Sequence, residues 1–292
     1  MSQEKEQNEL HHGKQPQGSL RRIWLCADDY GISPGVNSAI RDLVSRRRIN
    51  AASVMVVAPS FSDGEATALR DAAAEHTALG LHLTLTAPFE PVSQGFAPLR
   101  HGTFLALAAV MQRAHLRALK SDLLTIEIVR QVETFQAAFG RAPDFVDGHQ
   151  HVQLLPQIGE ATLRVIKDAA PRAWVRQCGR ALPAHRRFGD PKALLLDGLS
   201  RRFRSLAARH HVRTNPAFAG AYAFRAKAEY EKLFATFLDH LPDGGVVMCH
   251  PGNDDTELRR LDSLTDLRER EYAFFLGEDF PKLLAERGVA LC

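Results

Sequence analysis

The stretch IWLCADDYGISPG, residues 23–35, contains the change of pattern that decides the fold. Its apolar start predicts a buried β-strand from Ile23 to Ala27. The Ser-Pro pair at 33–34 is typical of a helix start, because serine caps the first turn and proline fits its first position. A strand leading directly into a helix predicts a β-α unit, and two acids, Asp28 and Asp29, lie at the carboxyl end of its strand.

The same alternation of short apolar runs and amphipathic segments continues along the chain. Further strands are predicted at Ala52–Val57, Leu79–Leu85, Phe145–Val152, Trp174–Arg176 and Val246–Met248. Helices are predicted from the Ser-Pro pair to about Arg47, over Ser121–Phe139 with Gly140 as the stop, from about Pro156, from Asp190 and Pro191, and over Leu264–Arg287. With about seven strand candidates separated by helices, we expect an α/β fold with one distorted, (β/α) barrel-like domain. Periodicity alone leaves open whether the sheet closes.

Length and composition fit one catalytic domain in a reducing compartment. The 292 residues are 45% hydrophobic, which is enough for a substantial core. Residues 1–19 are polar and are predicted to form a disordered tail, leaving 20–292 for the domain. The four cysteines are far apart and form no CxxC, so we expect neither a disulfide framework nor a thiolate zinc site. A cytoplasmic location is the corresponding expectation.

Charge and hydropathy disfavour two kinds of partner. The formal net charge is only +3, and the 37 basic residues are scattered among 34 acidic ones, so nucleic acid is not expected. No apolar run approaches the roughly 20 residues that span a bilayer, and the N-terminus lacks the layout of a signal peptide. We therefore expect no transmembrane segment and no export by that route.

Four polar clusters follow predicted strands, which is where α/β folds place their active sites. They are ADDYG (27–31), GLHLT (80–84), DGHQHVQ (147–153) and CHPG (249–252). If the strand continues through the third cluster, its alternation places Asp147, His149, His151 and Gln153 on one face. Imidazole together with carboxylate suits zinc or another first-row divalent metal.

The first three clusters also have a structural interpretation. In that interpretation one of the two adjacent acids caps the following helix, His82 is a hydrogen-bonded core residue, and the third cluster is a hydrogen-bond network. Against this, His250 lies at a strand end before proline and glycine. Such a fixed turn suits a general acid or base near neutral pH.

The four clusters, in this order and with these intervals, resemble the YdjC family of carbohydrate deacetylases over roughly residues 21–290. The family motifs are ADDFG, a G-x-H strand, a D-x-H-x-H-x-H strand and a C-H-P turn, and GRAP at 140–143 is similar to the lead-in to the third. Two departures are visible. Tyr30 stands where phenylalanine is usual and is expected to add a hydroxyl near the site. Gln153 stands where the last histidine is usual and is expected to alter substrate contacts while the metal site survives.

The resemblance implies a metal-dependent hydrolase that removes N-acetyl groups from an acetylated amino sugar and releases acetate. It implies one divalent metal ion, magnesium or zinc, with three ligands carried over by position: Asp29, His82 and His149. Asp28 is then the base and His250 the acid. His151 and Arg176 are expected at the substrate, and orienting Asp28 is a second role open to Arg176.

Two other functions stay open. The same metal site would suit hydrolysis of another amide or of a phosphodiester, and a barrel that has lost catalysis would bind sugar only. Two-metal phosphoesterases usually need a second carboxylate-rich site about 3.5–4 Å away. Ligands for one metal are visible, which favours amide hydrolysis. The sequence leaves open the sugar and its chain length, attachment to a glycolipid, the metal, and whether the chain forms a homodimer.

Overall fold

The computed structural model describes residues 20–181, 191–222 and 229–292. The predicted tail at 1–19 and Asp190, the predicted start of a helix, lie outside the described residues. In the described part of the chain, no helix is both long and apolar enough to cross a bilayer.

The described residues form nine strands in one sheet. The strands are β1 (Arg21–Tyr30), β2 (Ala51–Val54), β3 (Ala78–Leu83), β4 (Phe145–Gly148), β5 (Trp174–Val175), β6 (Arg213–Thr214), β7 (Phe218–Ala219), β8 (Val246–Cys249) and β9 (Val289–Leu291). Their order is β6-β5-β4-β3-β2-β1-β8-β7, with β9 added to the start of β1. Every paired neighbour is parallel. The carboxyl ends of the strands therefore meet at one end of the sheet.

The two outer strands of this order belong to a single segment, residues 213–219. Its start pairs with β5, where Arg213 lies opposite Trp174, and its end pairs with β8, where Phe218 lies opposite Val246. One segment thus bridges both remaining edges, and the sheet curls into a distorted barrel. The predicted α/β, barrel-like fold is confirmed.

Ten helices connect the strands within the described ranges. They are α1 (Pro34–Ser45), α2 (Asp63–Ala73), α3 (Leu107–His115), α4 (Ser121–Phe139), α5 (Pro156–Ala169), α6 (Pro191–His210), α7 (Tyr230–Leu238), α8 (Thr256–Leu261), α9 (Asp266–Leu276) and α10 (Asp279–Glu286). The predicted bounds of α4 are confirmed, and Gly140 ends it in the left-handed conformation, φ 68°. The single helix predicted over Leu264–Arg287 is wrong, because extended backbone at Gly277 separates α9 from α10.

The prediction that the fourth strand continues to Val152 is also wrong. β4 ends at Gly148, and a short 3-10 segment, His149–Leu154, follows it. Within that segment Gln150 and His151 have φ values of 54° and 59°, in the left-handed region. Two consecutive left-handed residues destroy the alternation of a strand, so the four polar side chains of the third cluster do not share one face.

Aromatic side chains fill the barrel interior on the amino-terminal side of the polar strand ends. Phe145 stacks on Trp174 with ring centroids 4.8 Å apart, and Trp174 lies 6.4 Å from Trp24 of β1. Gly80 of β3 leaves the space that Phe145 occupies, since a Cβ there would lie 2.4 Å from the phenyl ring. Two residues after Gly80, Phe145 and Trp174 the side chains are polar, namely His82, Asp147 and Arg176.

We expect Gly80→Ala to destabilise the fold by about 1–3 kcal/mol, because the added methyl group overpacks the barrel interior against Phe145. Gly198→Ala is the matched control, since a Cβ at this helical position meets nothing within 4 Å. Urea denaturation of both variants measures the difference. Equal midpoints for the two would show that the barrel interior accommodates the methyl group.

Candidate metal centre

Three predicted ligands, from the ends of β1, β3 and β4, meet at the carboxyl end of the barrel. Asp29 lies at the end of β1, His82 in β3, and His149 directly after β4. One ligand atom from each lies within 4.8 Å of the others. Asp29 Oδ1 is 3.3 Å from His82 Nε2 and 3.1 Å from His149 Nδ1. We call these residues the Asp-His-His group.

A local irregularity of β1 separates its two acids. The pairing with β2 shifts register between Ala27 and Tyr30, and Asp29 has φ 70°. Aspartate tolerates this left-handed conformation better than most residues. The shift gives Asp28 and Asp29 different partners, as their predicted separate roles require.

His82 is held from behind by a carboxylate. Its Nδ1 lies 2.7 Å from Asp147 Oδ1 and 3.1 Å from Ser53 Oγ, which leaves Nε2 facing Asp29. A carboxylate on the far nitrogen is the usual support of a metal-binding histidine. Burial lowers the pKa of His82, but the carboxylates of Asp147 and Asp28 outweigh it and raise this pKa to about 10. The surroundings therefore favour positive charge at this point.

Arg176 ties Asp28 to Asp147 in the barrel interior. Its guanidinium bonds both oxygens of Asp28, at 2.6 and 2.8 Å, and forms an ion pair of 2.5 Å with Asp147. Burial raises the pKa of Asp28, but the opposing effect of the Arg176 charge prevails, and the pKa lies below its ordinary value. Asp28 is therefore ionised. These are the contacts of a residue that orients Asp28, and substrate contact by Arg176 stays a prediction.

Arg268 of α9 supports Asp29, and the sequence analysis did not identify it. Its Nη2 lies 2.6 Å from Asp29 Oδ2 and 2.6 Å from Asp262 Oδ2, and its side chain is fully buried. Despite burial, Arg268 and the two histidines hold the pKa of Asp29 well below its usual range. The sequence contained a signal for a buried polar side chain, because Glu271 lies between Leu267 and Phe275 at helical spacing. Arg268 lies one turn before Glu271 on the same buried face.

His250 follows β8 and lies near Oδ2 of Asp29, whereas His82 and His149 contact Oδ1. Its Nε2 lies 4.0 Å from Asp29 Oδ2. Its backbone N–H donates to buried Glu271 at 2.6 Å, and Glu271 also accepts from Tyr222 at 2.7 Å. Burial raises the pKa of Glu271. The turn is thus fixed close to the Asp-His-His group, while the acid role of His250 stays a prediction.

His151 lies beside the centre rather than in it. Its Nδ1 is 3.5 Å from Cys178 Sγ, and its ring meets Phe218 edge-on at 5.7 Å. Burial and the charge of Arg176 lower the pKa of His151 to about 3, so the imidazole is neutral. Its contact with substrate stays a prediction.

The two departures from the family pattern have structural partners. Gln153 is buried and donates to the backbone carbonyl of Arg176 at 3.1 Å. The hydroxyl of Tyr30 bonds Glu65 at 2.7 Å and accepts from Arg41 at 3.0 Å. The expectation that this hydroxyl lies near the site is therefore wrong, because it joins α1 to α2.

The charges around the Asp-His-His group favour a cation. Four carboxylates, those of Asp28, Asp29, Asp147 and Asp262, face the two guanidinium groups of Arg176 and Arg268. The carboxylates therefore outnumber the guanidinium groups by two, and this negative excess agrees with the raised pKa of His82. Two imidazoles and one carboxylate suit a first-row divalent ion, and three protein ligands leave coordination positions open.

The chain belongs to the family described as YdjC-like protein, whose model matches residues 22–286. It is similar to the chitooligosaccharide deacetylase of Escherichia fergusonii, with 30% identity over 280 residues, 93% of this chain and 97% of that one. The chitooligosaccharide deacetylase of Yersinia pestis is 27% identical over 272 residues, 91% of this chain and 94% of that one. A carbohydrate deacetylase of Danio rerio is 31% identical over 157 residues, 52% of this chain and 48% of that one.

Among solved structures, a protein of Enterococcus faecalis V583, described as a proposed cellobiose-phosphate cleavage protein, has the same fold. It matches with a TM-score of 0.73 and 19% identity over 94% of this chain and 97% of that one. At this identity the likeness concerns the fold alone.

Replacing Arg176 by methionine is expected to destabilise the protein by about 3–5 kcal/mol, because two buried carboxylates lose their counter-charge. Arg130→Met is the control, since the ion pair of Arg130 with Glu133 is exposed and worth about 0–1 kcal/mol. The free energy of unfolding in urea, measured for both, checks this. A similar small loss in each would contradict the structural role assigned to Arg176.

Proposed function

We propose that the protein is a metal-dependent hydrolase that removes N-acetyl groups from an acetylated amino sugar and releases acetate. The observation that carries the proposal is the Asp-His-His group, with ionised Asp28 and His250 beside it. The names of the relatives from Escherichia fergusonii and Yersinia pestis support a carbohydrate deacetylase, with an acetylated chitooligosaccharide as the first substrate to test.

Asp29, His82 and His149 would hold a divalent cation, which would supply Lewis-acid polarisation of the amide carbonyl and would lower the pKa of an attacking water. Asp28 takes the proton of that water. Arg176 donates to both of its oxygens and the Cys26 thiol also donates to Oδ1, so the second lone pair of Oδ2 is the one available for the proton. His250 protonates the departing amine. Arg268 and Asp147 hold Asp29 and His82 in position throughout.

The position of Arg176 argues against a two-metal phosphodiesterase. A second set of possible ligand atoms, from Cys26, Asp28 and Asp147, occurs in the described part of the chain. The Arg176 guanidinium forms ion pairs with both carboxylates of this set, so a positive charge is already present there. One metal ion is the consistent proposal. The imidazole ligands favour zinc over magnesium.

A barrel that binds sugar without catalysis is the second candidate, and the presence of both proton-transfer residues counts against it. The cytoplasmic location, a glycolipid head group as substrate, and a homodimer are further predictions that separate experiments must address.

The first experiment is acetate release from N-acetylglucosamine oligomers by protein that has been stripped of metal and then resupplied with zinc, magnesium or cobalt in parallel. We expect release only after metal is restored. Metal binding without release would contradict this substrate and favour another amide. Release that continues in the stripped protein would contradict metal dependence.

Three variants separate the proposed roles. Asp28→Asn and His250→Ala are expected to lower turnover by about two to four orders of magnitude while keeping bound metal, because each removes a proton-transfer group. His149→Ala is expected to lose the metal itself. Metal per chain, measured by elemental analysis, and acetate release distinguish them, with exposed His76→Ala as control. Equal metal loss in all three would refute the assignment.

A further inference from the structure

A long loop covers the Asp-His-His group on the side of β3. Residues 84–106 connect β3 to α3 without a strand or helix of their own. Loops of this length in a compact domain usually carry function. Residues 85–106 lie outside the four polar clusters of the sequence.

Two buried side chains of α4 hydrogen-bond both ends of the first part of this loop, residues 84–93. Gln131 accepts from the backbone N–H of Thr84 at 3.0 Å and donates to its carbonyl at 2.7 Å. Glu127, one turn earlier, accepts from the N–H groups of Val92 and Ser93 at 3.1 and 2.8 Å. Gln131 also donates to Glu127 at 2.7 Å. We call these two residues the α4 clamp.

The α4 clamp is costly to bury, which indicates that the loop depends on it. Both side chains are 0% exposed. A buried carboxyl group is tolerated only when its hydrogen bonds are satisfied. The partners of Glu127 are two loop N–H groups and one side-chain amide, so losing the clamp leaves polar groups unsatisfied on both the helix and the loop.

Between the two clamped ends, Phe89 packs against the metal ligand His149. The rings meet edge-on with centroids 5.7 Å apart at an angle of 86°, and Phe89 is 3% exposed. The ring of His149 also meets that of His82 edge-on, at 5.6 Å. Backbone bonds join Phe89 to the far end of the loop, since its carbonyl accepts from Phe104 at 2.8 Å.

The two histidine ligands are therefore supported in different ways. His82 has Asp147 on its second ring nitrogen. Among the described residues, the ring of His149 hydrogen-bonds Asp29 alone, and its backbone is followed by two left-handed residues. His149 is supported by the ring of Phe89, whereas His82 is supported by the carboxylate of Asp147.

We propose that Phe89 is a positioning residue for His149, and that the α4 clamp acts through it by fixing the loop. The inference rests on the proposed function in that His149 is taken as a metal ligand. It adds a supporting element from a loop and a helix outside the four sequence motifs.

The test measures the zinc dissociation constant of the full chain by competition with a chromophoric chelator, and the visible spectrum of the cobalt-loaded protein. Phe89→Leu and Glu127→Gln are compared with two controls. Phe96→Leu removes a ring from the same loop, where Phe96 meets Phe104 edge-on at 5.2 Å. Glu133→Gln makes the same chemical change on the exposed face of α4. Thermal unfolding of the metal-free proteins records any loss of fold.

We expect Phe89→Leu and Glu127→Gln to weaken zinc binding by about 10–100-fold and to alter the cobalt spectrum, as loss of a supporting contact does. The two controls should bind as the wild type does. Wild-type affinity and spectrum in folded Phe89→Leu would overturn the proposal, as would equal weakening in Phe96→Leu. A wild-type protein that binds metal but releases no acetate would refute the proposed reaction and leave the positioning result standing.

Discussion

Arg176 places a guanidinium group inside the barrel, where it forms ion pairs with Asp28 of β1 and Asp147 of β4. Each carboxylate is buried and would be costly there without a counter-charge. Once paired, Asp28 stays ionised and Asp147 keeps its other oxygen on His82. A single cation directly after β5 thus makes a polar layer possible in a barrel interior, and the Asp-His-His group lies on that layer.

The rest of the chain surrounds this layer with supports of different kinds. Aromatic rings fill the barrel below it, with Gly80 leaving room for Phe145. A second buried guanidinium, that of Arg268, reaches Asp29 from α9. On the side of His149 the support is apolar, through Phe89. The Asp-His-His group comes from the ends of β1, β3 and β4, whereas Arg268 and Phe89, which contact it, come from a helix and a loop far away in the sequence.

The sequence predicted those parts that depend on local pattern. The bounds of α4 follow from its periodicity and from Gly140, and polar residues at parallel strand ends indicated where a site would lie, while the resemblance to the YdjC family selected Asp29, His82 and His149 among them. Where tertiary contacts decide, the pattern failed. The predicted alternation stops at Gly148, where left-handed residues follow, and the hydroxyl of Tyr30 hydrogen-bonds Glu65. Arg268 had only a helical spacing to mark it, and nothing local links Phe89 to His149.

The position of β1 has a consequence for the order of assembly. It pairs with β2 a few tens of residues along the chain, but also with β8 through Trp24 and Val246, and with β9 through Arg21 and Val289. During synthesis this strand therefore stays partly unpaired until β8 and β9 have been made. Such pairings of high sequence separation form slowly. The two acids of β1 acquire their full surroundings only when β8 and β9 have docked, so until then the chain has an incomplete centre and an open strand edge at which association is favoured.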